Sequence, residues 1–98
     1  MDKKEKVYSI LRKIPKGKVI TYKVVADACK IYPREAGRII SQNPYAPQVP
    51  CHRVIRSDGS LGGYTYKGEQ NTKRKAAILR KEGVIINNGK IRQEFLLS

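Results

Sequence analysis

The chain has no tryptophan, one phenylalanine, one methionine, one histidine and two cysteines, and only eight acidic residues against 21 lysines and arginines. These scarcities exclude much. Two cysteines and one histidine do not supply the ligand spacing of a structural zinc, so neither a metal nor any other cofactor is expected. Cys29 falls in a predicted helix and Cys51 in a proline-bounded loop, and no disulfide is expected between them in a reducing compartment. No run approaches the roughly 20 apolar residues of a membrane span, and the opening "MDKKEK" lacks the apolar region of a signal peptide. Repeats, low-complexity tracts and linkers are missing as well. The expectation is one soluble, intracellular domain over residues 1–98, monomeric, with no membrane partner.

What is abundant is positive charge. The formal net charge is +13 and the isoelectric point near 10.1. Lysines and arginines divide 11 to 10 between residues 1–49 and 50–98, so the whole domain is basic and not merely one tail. Such a field attracts polyanions, nucleic acid first among them, although solubility alone also accounts for it.

Apolar periodicity organises the first half. Val7, Ile10, Leu11 and Ile14 recur at i, i+3, i+4 and i+7, one stripe of an amphipathic helix over residues 2–14 that "PKGK" ends. Thr21 is a predicted cap for a helix over 22–30, with Val25, Ala28 and Cys29 inward, which makes Cys29 a small core residue. Pro33 suits the first turn of a helix over 33–42 whose inner face is Ala36, Ile39 and Ile40. Two short helices joined by a tight turn, the second carrying Arg34 and Arg38, fit a helix-turn-helix.

The second half reads differently. "NPYAPQVP" (43–50) has three prolines in eight residues and reads as a stiff, extended loop delivering Cys51 to a fixed place. "HRVI" is a short apolar run, followed by the turn residues "SDGSLGG". A helix is expected from about Glu69 to Glu82, stopped by Gly83. Asn88-Gly89 between two β-favouring runs in "VIINNGKIRQEF" predicts a hairpin. The fold class is therefore mainly α with small β elements: a winged helix-turn-helix-like DNA-binding domain with a cysteine loop and a C-terminal hairpin.

The chemistry gathers in "VPCHRVI". A thiolate is the nucleophile, and a free cysteine of pKa ~8.5 is only a few per cent ionised at neutral pH. His52 beside it, Arg53 after it and the cationic domain would all raise that fraction. Sequence neighbours in an extended segment point opposite ways, so Cys51 and His52 need a bridging water or a local turn to communicate. A catalytic histidine also needs an orienting carboxylate. Glu82 at a helix end is a candidate among the eight acids, but residue chemistry alone does not select it. The plain alternative is a structural histidine beside an unreactive cysteine.

The segments "TY" (21–22), "PREAGR" (33–38), "NP" (43–44), "PCHRVI" (50–55), "DGSLGGYT" (58–65) and "KRKAAILRKEG" (73–83) together resemble the C-terminal domain of O6-alkylguanine-DNA alkyltransferases, in the family's order and over about residues 4–86. The resemblance covers only the family's catalytic domain, and a bare catalytic domain without the usual N-terminal one is the expectation. The resemblance implies DNA repair by single-turnover suicide transfer of an alkyl group from guanine O6 to Cys51, with the nucleotide flipped out of the duplex. It further implies His52 as base through a water, Glu82 as its orienter and Asn43 as a brace for the loop. Tyr22 would donate to guanine N3 and crowd the rotating phosphate, with Thr21 beside it.

The Thr65 N–H would face O6, next to Tyr64. The Cys51 and Val54 carbonyls would receive the guanine amine, and Lys75 would join a proton network. Arg34 would fill the gap left by the flipped base, Gly37 would allow close approach, and Arg38 would grip phosphate. The implied partner is double-stranded DNA containing O6-alkylguanine, bound in the minor groove without sequence preference. Two rivals stand beside this reading: an alkyltransferase-like protein that binds lesions without transfer, and a DNA-binding regulator with a redox-sensitive thiol.

Overall fold

The computed structural model describes residues 2–45, 48–63, 65–66 and 69–97. Helix α1 (Lys3–Arg12) starts at Asp2, whose carboxylate accepts the Glu5 N–H at 2.9 Å and satisfies one of the orphan donors of the first turn. It buries Val7, Tyr8 and Leu11. A two-residue strand, β1 (Ile20–Thr21), leads directly into α2 (Tyr22–Cys29), where the Thr21 hydroxyl accepts from Val24 N–H at 3.2 Å as its sequence position predicts. The buried residues of α2 are Val25, Ala26 and Cys29. Ala28, expected inward, is exposed, because the helix rotates Ala26 into the core instead.

Lys30 closes α2 in the left-handed conformation (φ 57°, ψ 45°), and the Ile31 N–H reaches back to the Ala26 carbonyl at 3.0 Å. This tight exit turns the chain into α3 (Pro33–Ser41), with proline in its first turn and Ala36, Ile39 and Ile40 buried. The α2–α3 pair is the helix-turn-helix, and α1 packs against both.

The proline-rich segment departs from expectation. Its described residues, 43–45 and 48–50, are turned and not extended, residues 46 and 47 lying outside the described residues: the Tyr45 N–H donates to Asn43 Oδ1 at 2.9 Å, and the Val49 N–H to the Tyr45 carbonyl at 3.0 Å. An asparagine side chain that closes a turn on its own backbone competes well with extension. Cys51–Arg53 then forms one 3-10 turn, followed by β2 (Val54–Ile55), which pairs in parallel with β1 in the register Ile20↔Val54 and Thr21↔Ile55.

Two hydrophobic clusters meet at this short ladder. Val7, Leu11, Val25, Ile39, Cys51 and Val54 belong to the helical cluster. Val19, Ile55, Leu61, Leu79 and Ile91 belong to the second. Successive residues of a strand face opposite sides, so Val54 and Ile55 anchor one each. With roughly 1.5–3 kcal/mol for each buried aliphatic side chain, both ends of the cysteine loop are held from two directions.

Beyond it, β3 (Thr65–Tyr66) pairs antiparallel with β4 (Glu69–Gln70), and α4 (Thr72–Lys81) begins three residues later than the expected start near Glu69. Asn71 explains the delay, since its side chain accepts the Arg74 N–H at 3.0 Å and sets the helix start there. Gly83, at φ +97°, ends the helix as predicted. The Asn-Gly hairpin is present as β5 (Ile86–Asn87) and β6 (Lys90–Ile91), with both turn residues at positive φ.

Candidate functional site

Cys51 is 3 % exposed, and it lines a cleft of about 420 Å³ together with Tyr22, Arg34, Gly37, Arg56 and Gly62. The sulfur thus belongs to the core packing while facing an opening on the α3 side. Because residues 51–53 are a 3-10 turn, the side chains of Cys51 and His52 are about 120° apart around the chain and not opposed as on a strand. The turn sends His52 toward the C-terminal end of α4, where its Nε2 lies 3.1 Å from Glu82 Oε2.

Glu82 is the carboxylate that meets His52, and it holds two residues. Arg53 donates to it through Nε at 3.0 Å and Nη2 at 2.6 Å, a forked contact, and through Nη1 to the Ile14 carbonyl at 2.6 Å. Arg53 therefore serves Glu82 and the end of α1. The expectation that it would activate the thiol is corrected: its cation is committed to a carboxylate. Nothing in the local sequence marks that pairing, which joins residues 29 apart.

Burial pushes the Cys51 thiol above its ordinary pKa, opposed by a hydrogen bond from Asn43 and the nearby Lys75 charge. His52 moves the other way. Burial lowers its pKa, against the hydrogen bond and charge of Glu82. The resting pair is thus a neutral thiol and a neutral imidazole. Glu82 is also partly desolvated, but its hydrogen bonds to Arg53 and His52 keep its pKa below the usual carboxylate value. A proton on Nε2 pointed at an ionised Glu82 leaves Nδ1 as the basic nitrogen.

Asn43 braces the loop. Its Nδ2 donates to the Val49 carbonyl at 2.9 Å while Oδ1 takes the Tyr45 N–H, so one side chain ties both ends of the turn before Cys51.

Lys75 is fully buried on α4 and donates to the carbonyls of Val54 (2.7 Å), Leu61 and Gly63 (3.1 Å). Its Nζ also stands 5.7 Å from the centre of the Tyr22 ring. Burial pulls its pKa down to about 7, with a negative Cys51 pulling it back up. The sequence offered one signal for its burial: Lys75 is four residues before Leu79 and so shares its inward face.

The remaining predicted residues separate into two groups. Tyr22 is half-buried in the cleft, its hydroxyl 3.5 Å from the Gly63 carbonyl, and burial raises its pKa. Val54 lies in β2, and its carbonyl already accepts from Lys75, as the Cys51 carbonyl does from the Val54 N–H. Each carbonyl keeps a second lone pair. Thr21 is the α2 cap.

Arg34, Gly37 and Arg38 line the outer face of α3, Arg34 with no hydrogen bond or ion pair among the described residues and Arg38 3.7 Å from Glu35. Thr65 begins β3, opposite Gln70. Tyr64 lies outside the described residues. Both cysteines are free, and Cys29 is buried as expected. Among the described residues no helix is long and apolar enough to cross a membrane.

Residues 2–84 match the family model described as "6-O-methylguanine DNA methyltransferase, DNA binding domain". A methylated-DNA–protein-cysteine methyltransferase of Saccharolobus islandicus is 45% identical over 80 residues, which cover 82% of this chain and 50% of that protein. The chain thus spans about half the length of that relative. The O6-methylguanine-DNA methyltransferase of Pyrococcus kodakaraensis superposes with a TM-score of 0.75 at 38% identity, covering 86% of this chain and 47% of that one. The Schizosaccharomyces pombe protein Atl1, solved with damaged DNA containing O6-carboxymethylguanine, superposes with a TM-score of 0.84 at 29% identity over 98% of this chain and 94% of its own. With 83 consecutive residues under the family model and this fold around the cysteine cleft, the chain belongs to the 6-O-methylguanine DNA methyltransferase DNA-binding-domain family.

Proposed function

We propose that this domain repairs DNA by taking an alkyl group from guanine O6 onto Cys51, once per molecule, after the damaged nucleotide has rotated out of the duplex into the cleft. The observation that carries the reading is a buried cysteine at the wall of a cleft that opens beside the outward residues of α3, with an oriented histidine behind it. Arg34 is free to enter the base stack and replace the extruded base, and Gly37 leaves the helix face bare for close approach in the minor groove. The lysines and Arg38 contact phosphates without reading sequence.

The protonation states fit this chemistry. Neutral His52 accepts the Cys51 proton through a water, and Glu82 stabilises the imidazolium that forms. Sγ attacks the alkyl carbon, the C–O6 bond breaks, and its electron pair stays on the guanine. Tyr22, kept protonated by its raised pKa, passes a proton to N3 of the leaving purine, and the imidazolium proton is returned to Tyr22, so that the Cys51 proton is in sum transferred to guanine. Protonated Lys75 supports the transient thiolate. The product is a thioether that the domain has no means to reverse.

Intact mass after incubation with an O6-methylguanine duplex tests this. The expected result is a gain of one methylene, mapped to the Cys51 peptide; an unchanged mass overturns transfer. A second reading, lesion binding without transfer, is favoured by the near-complete mutual coverage with Atl1. It predicts a stable complex with the damaged duplex and no mass gain.

A further inference from the structure

We infer that the cleft selects O6-substituents ending in a carboxylate, and that Arg56 is the specificity residue that reads the carboxylate. The inference rests on the alkyl-transfer reading above and adds the class of adduct. Among the described residues the cleft walls carry two guanidiniums, Arg34 and Arg56, and no acid. When Arg34 occupies the base stack, Arg56 is the cation among the described lining residues that stays with the flipped base.

Its position is built into the fold. The Arg56 N–H donates to the Ser60 carbonyl at 2.9 Å and the Arg56 carbonyl accepts the Gly59 N–H at 3.0 Å, so a tight turn fixes its backbone directly after β2. Its stem lies against Gly62. A Cβ at Gly62 would come within 3.2 Å of the Tyr22 hydroxyl and 3.6 Å of Arg56 Cγ, so the absent side chain lets tyrosine and arginine converge on one wall. Gly62 also sits at φ +72°, where other residues are strained.

The Arg56 side chain forms no hydrogen bond or ion pair among the described residues. The acid that feels its charge, Asp58, is exposed and held by Ser60 at 2.7 Å. A guanidinium presents a planar fork that matches a carboxylate better than it matches any neutral alkyl end.

For an O6-carboxymethyl group the step balances without a co-reactant. The S–CH2 bond forms as the CH2–O6 bond breaks, the electron pair remains on guanine, and the Cys51 proton ends on the purine. The carboxylate travels to sulfur with its charge intact.

The test is a competition for the protein between duplexes carrying O6-carboxymethylguanine and O6-carbamoylmethylguanine, which match in size and reacting carbon but differ in charge. Single-turnover rates are read by intact mass, with O6-methylguanine as a third arm. Wild type is expected to favour the carboxylate about fivefold, the value of a partly exposed ion pair near 1 kcal/mol. Arg56→Gln brings the ratio to about one, Arg56→Lys keeps most of it, and Arg56→Glu inverts it.

Inversion cannot come from the overall field, because Arg56→Glu moves the net charge by two, from +13 only to +11. A wild-type ratio of one, or a preference that survives Arg56→Gln, overturns the inference while methyl transfer stands. Absence of transfer from all three duplexes overturns the alkyl-transfer reading itself.

Discussion

The Cys51 turn and helix α3 border the same cleft and could hardly be built more differently. Around the turn, charged side chains are buried and find their partners inside the protein: Glu82 holds His52 and Arg53, and Lys75 holds three carbonyls. On α3 the ion pairs of Glu35 with Lys3 and Arg38 lie at the surface, and the residues facing the cleft are left without buried partners. Arg34 has none among the described residues, Tyr32 is 81 % exposed, and a Cβ at Gly37 would meet nothing within 4 Å. A mid-helix glycine costs about 0.5–1 kcal/mol relative to alanine. Inside the turn the charged side chains are held by the fold; on α3 the sequence departs from what the isolated fold needs. The contrast separates residues that hold the site from residues that await a partner.

The largest effect that would break this contrast is at the nucleophile. Cys51→Ala is expected to abolish alkyl transfer while leaving affinity for lesion duplexes intact, as measured by mass and by fluorescence anisotropy. Loss of binding as well would make Cys51 part of the DNA grip.

Next comes the buried carboxylate. Glu82→Gln removes the charge that pairs Arg53 and orients His52. Transfer should slow on the order of 100-fold, and unfolding free energy should fall by about 2–3 kcal/mol, discounted from a fully buried pair because Glu82 keeps 11 % exposure. Denaturant titration and single-turnover rates check the two readouts separately.

The pH profile examines the same network. His52 titrates below 6.5, so transfer through it drops about tenfold per unit once the imidazole is protonated, while above about 7 the loss of the Lys75 charge weakens the support for the thiolate. A free Cys51 thiolate acting alone predicts instead a continuous rise toward pH 9 and above, because burial raises the thiol pKa. Stability has the matching sign. Below 6.5 the unfolded chain binds a proton that the folded His52 resists, so the domain loses stability on acidification, and Glu82 adds to that loss below 4.5.

Smaller effects belong to α3. Arg34→Ala should slow transfer about tenfold, since extrusion of a base costs a few kcal/mol and only part is recovered by the inserted side chain. Affinity for undamaged duplex should change little, and equal losses in both assays would reduce Arg34 to a phosphate contact. Gly37→Ala has the smallest effect and the sharpest sign: about 0.5–1 kcal/mol more stable by thermal melting, yet weaker on DNA. Stabilisation without weaker binding would show that α3 does not approach the duplex at Gly37.

Legibility divided along the same border. The helix-turn-helix could be read directly because its signals are local: Thr21 caps α2, Pro33 opens α3, and Ala36, Ile39 and Ile40 repeat at helical spacing. Arg34 and Gly37 were legible for the same reason, as residues on a known helix face. The interior was not. Glu82 can be named as a candidate but not chosen, Arg53 reads only as a charge near the thiol with no sign of its pairing to Glu82, and Lys75 gives no sign of its three carbonyls. The proline segment misled by composition, since Asn43 closes a turn that proline content alone suggests is extended.

The sequence by itself determined the basic character of the domain, its three N-terminal helices, its hairpin and the presence of one cysteine beside one histidine, because propensity, capping and charge act over a few residues. Only the tertiary structure decided what that cysteine can do. It packs α4 against the 3-10 turn, so that Glu82 meets a histidine 30 residues away, and it buries Cys51, His52 and Lys75 deeply enough to move all three pKa values. Desolvation and pairing across such separations are properties of packing, and a linear chain does not display them.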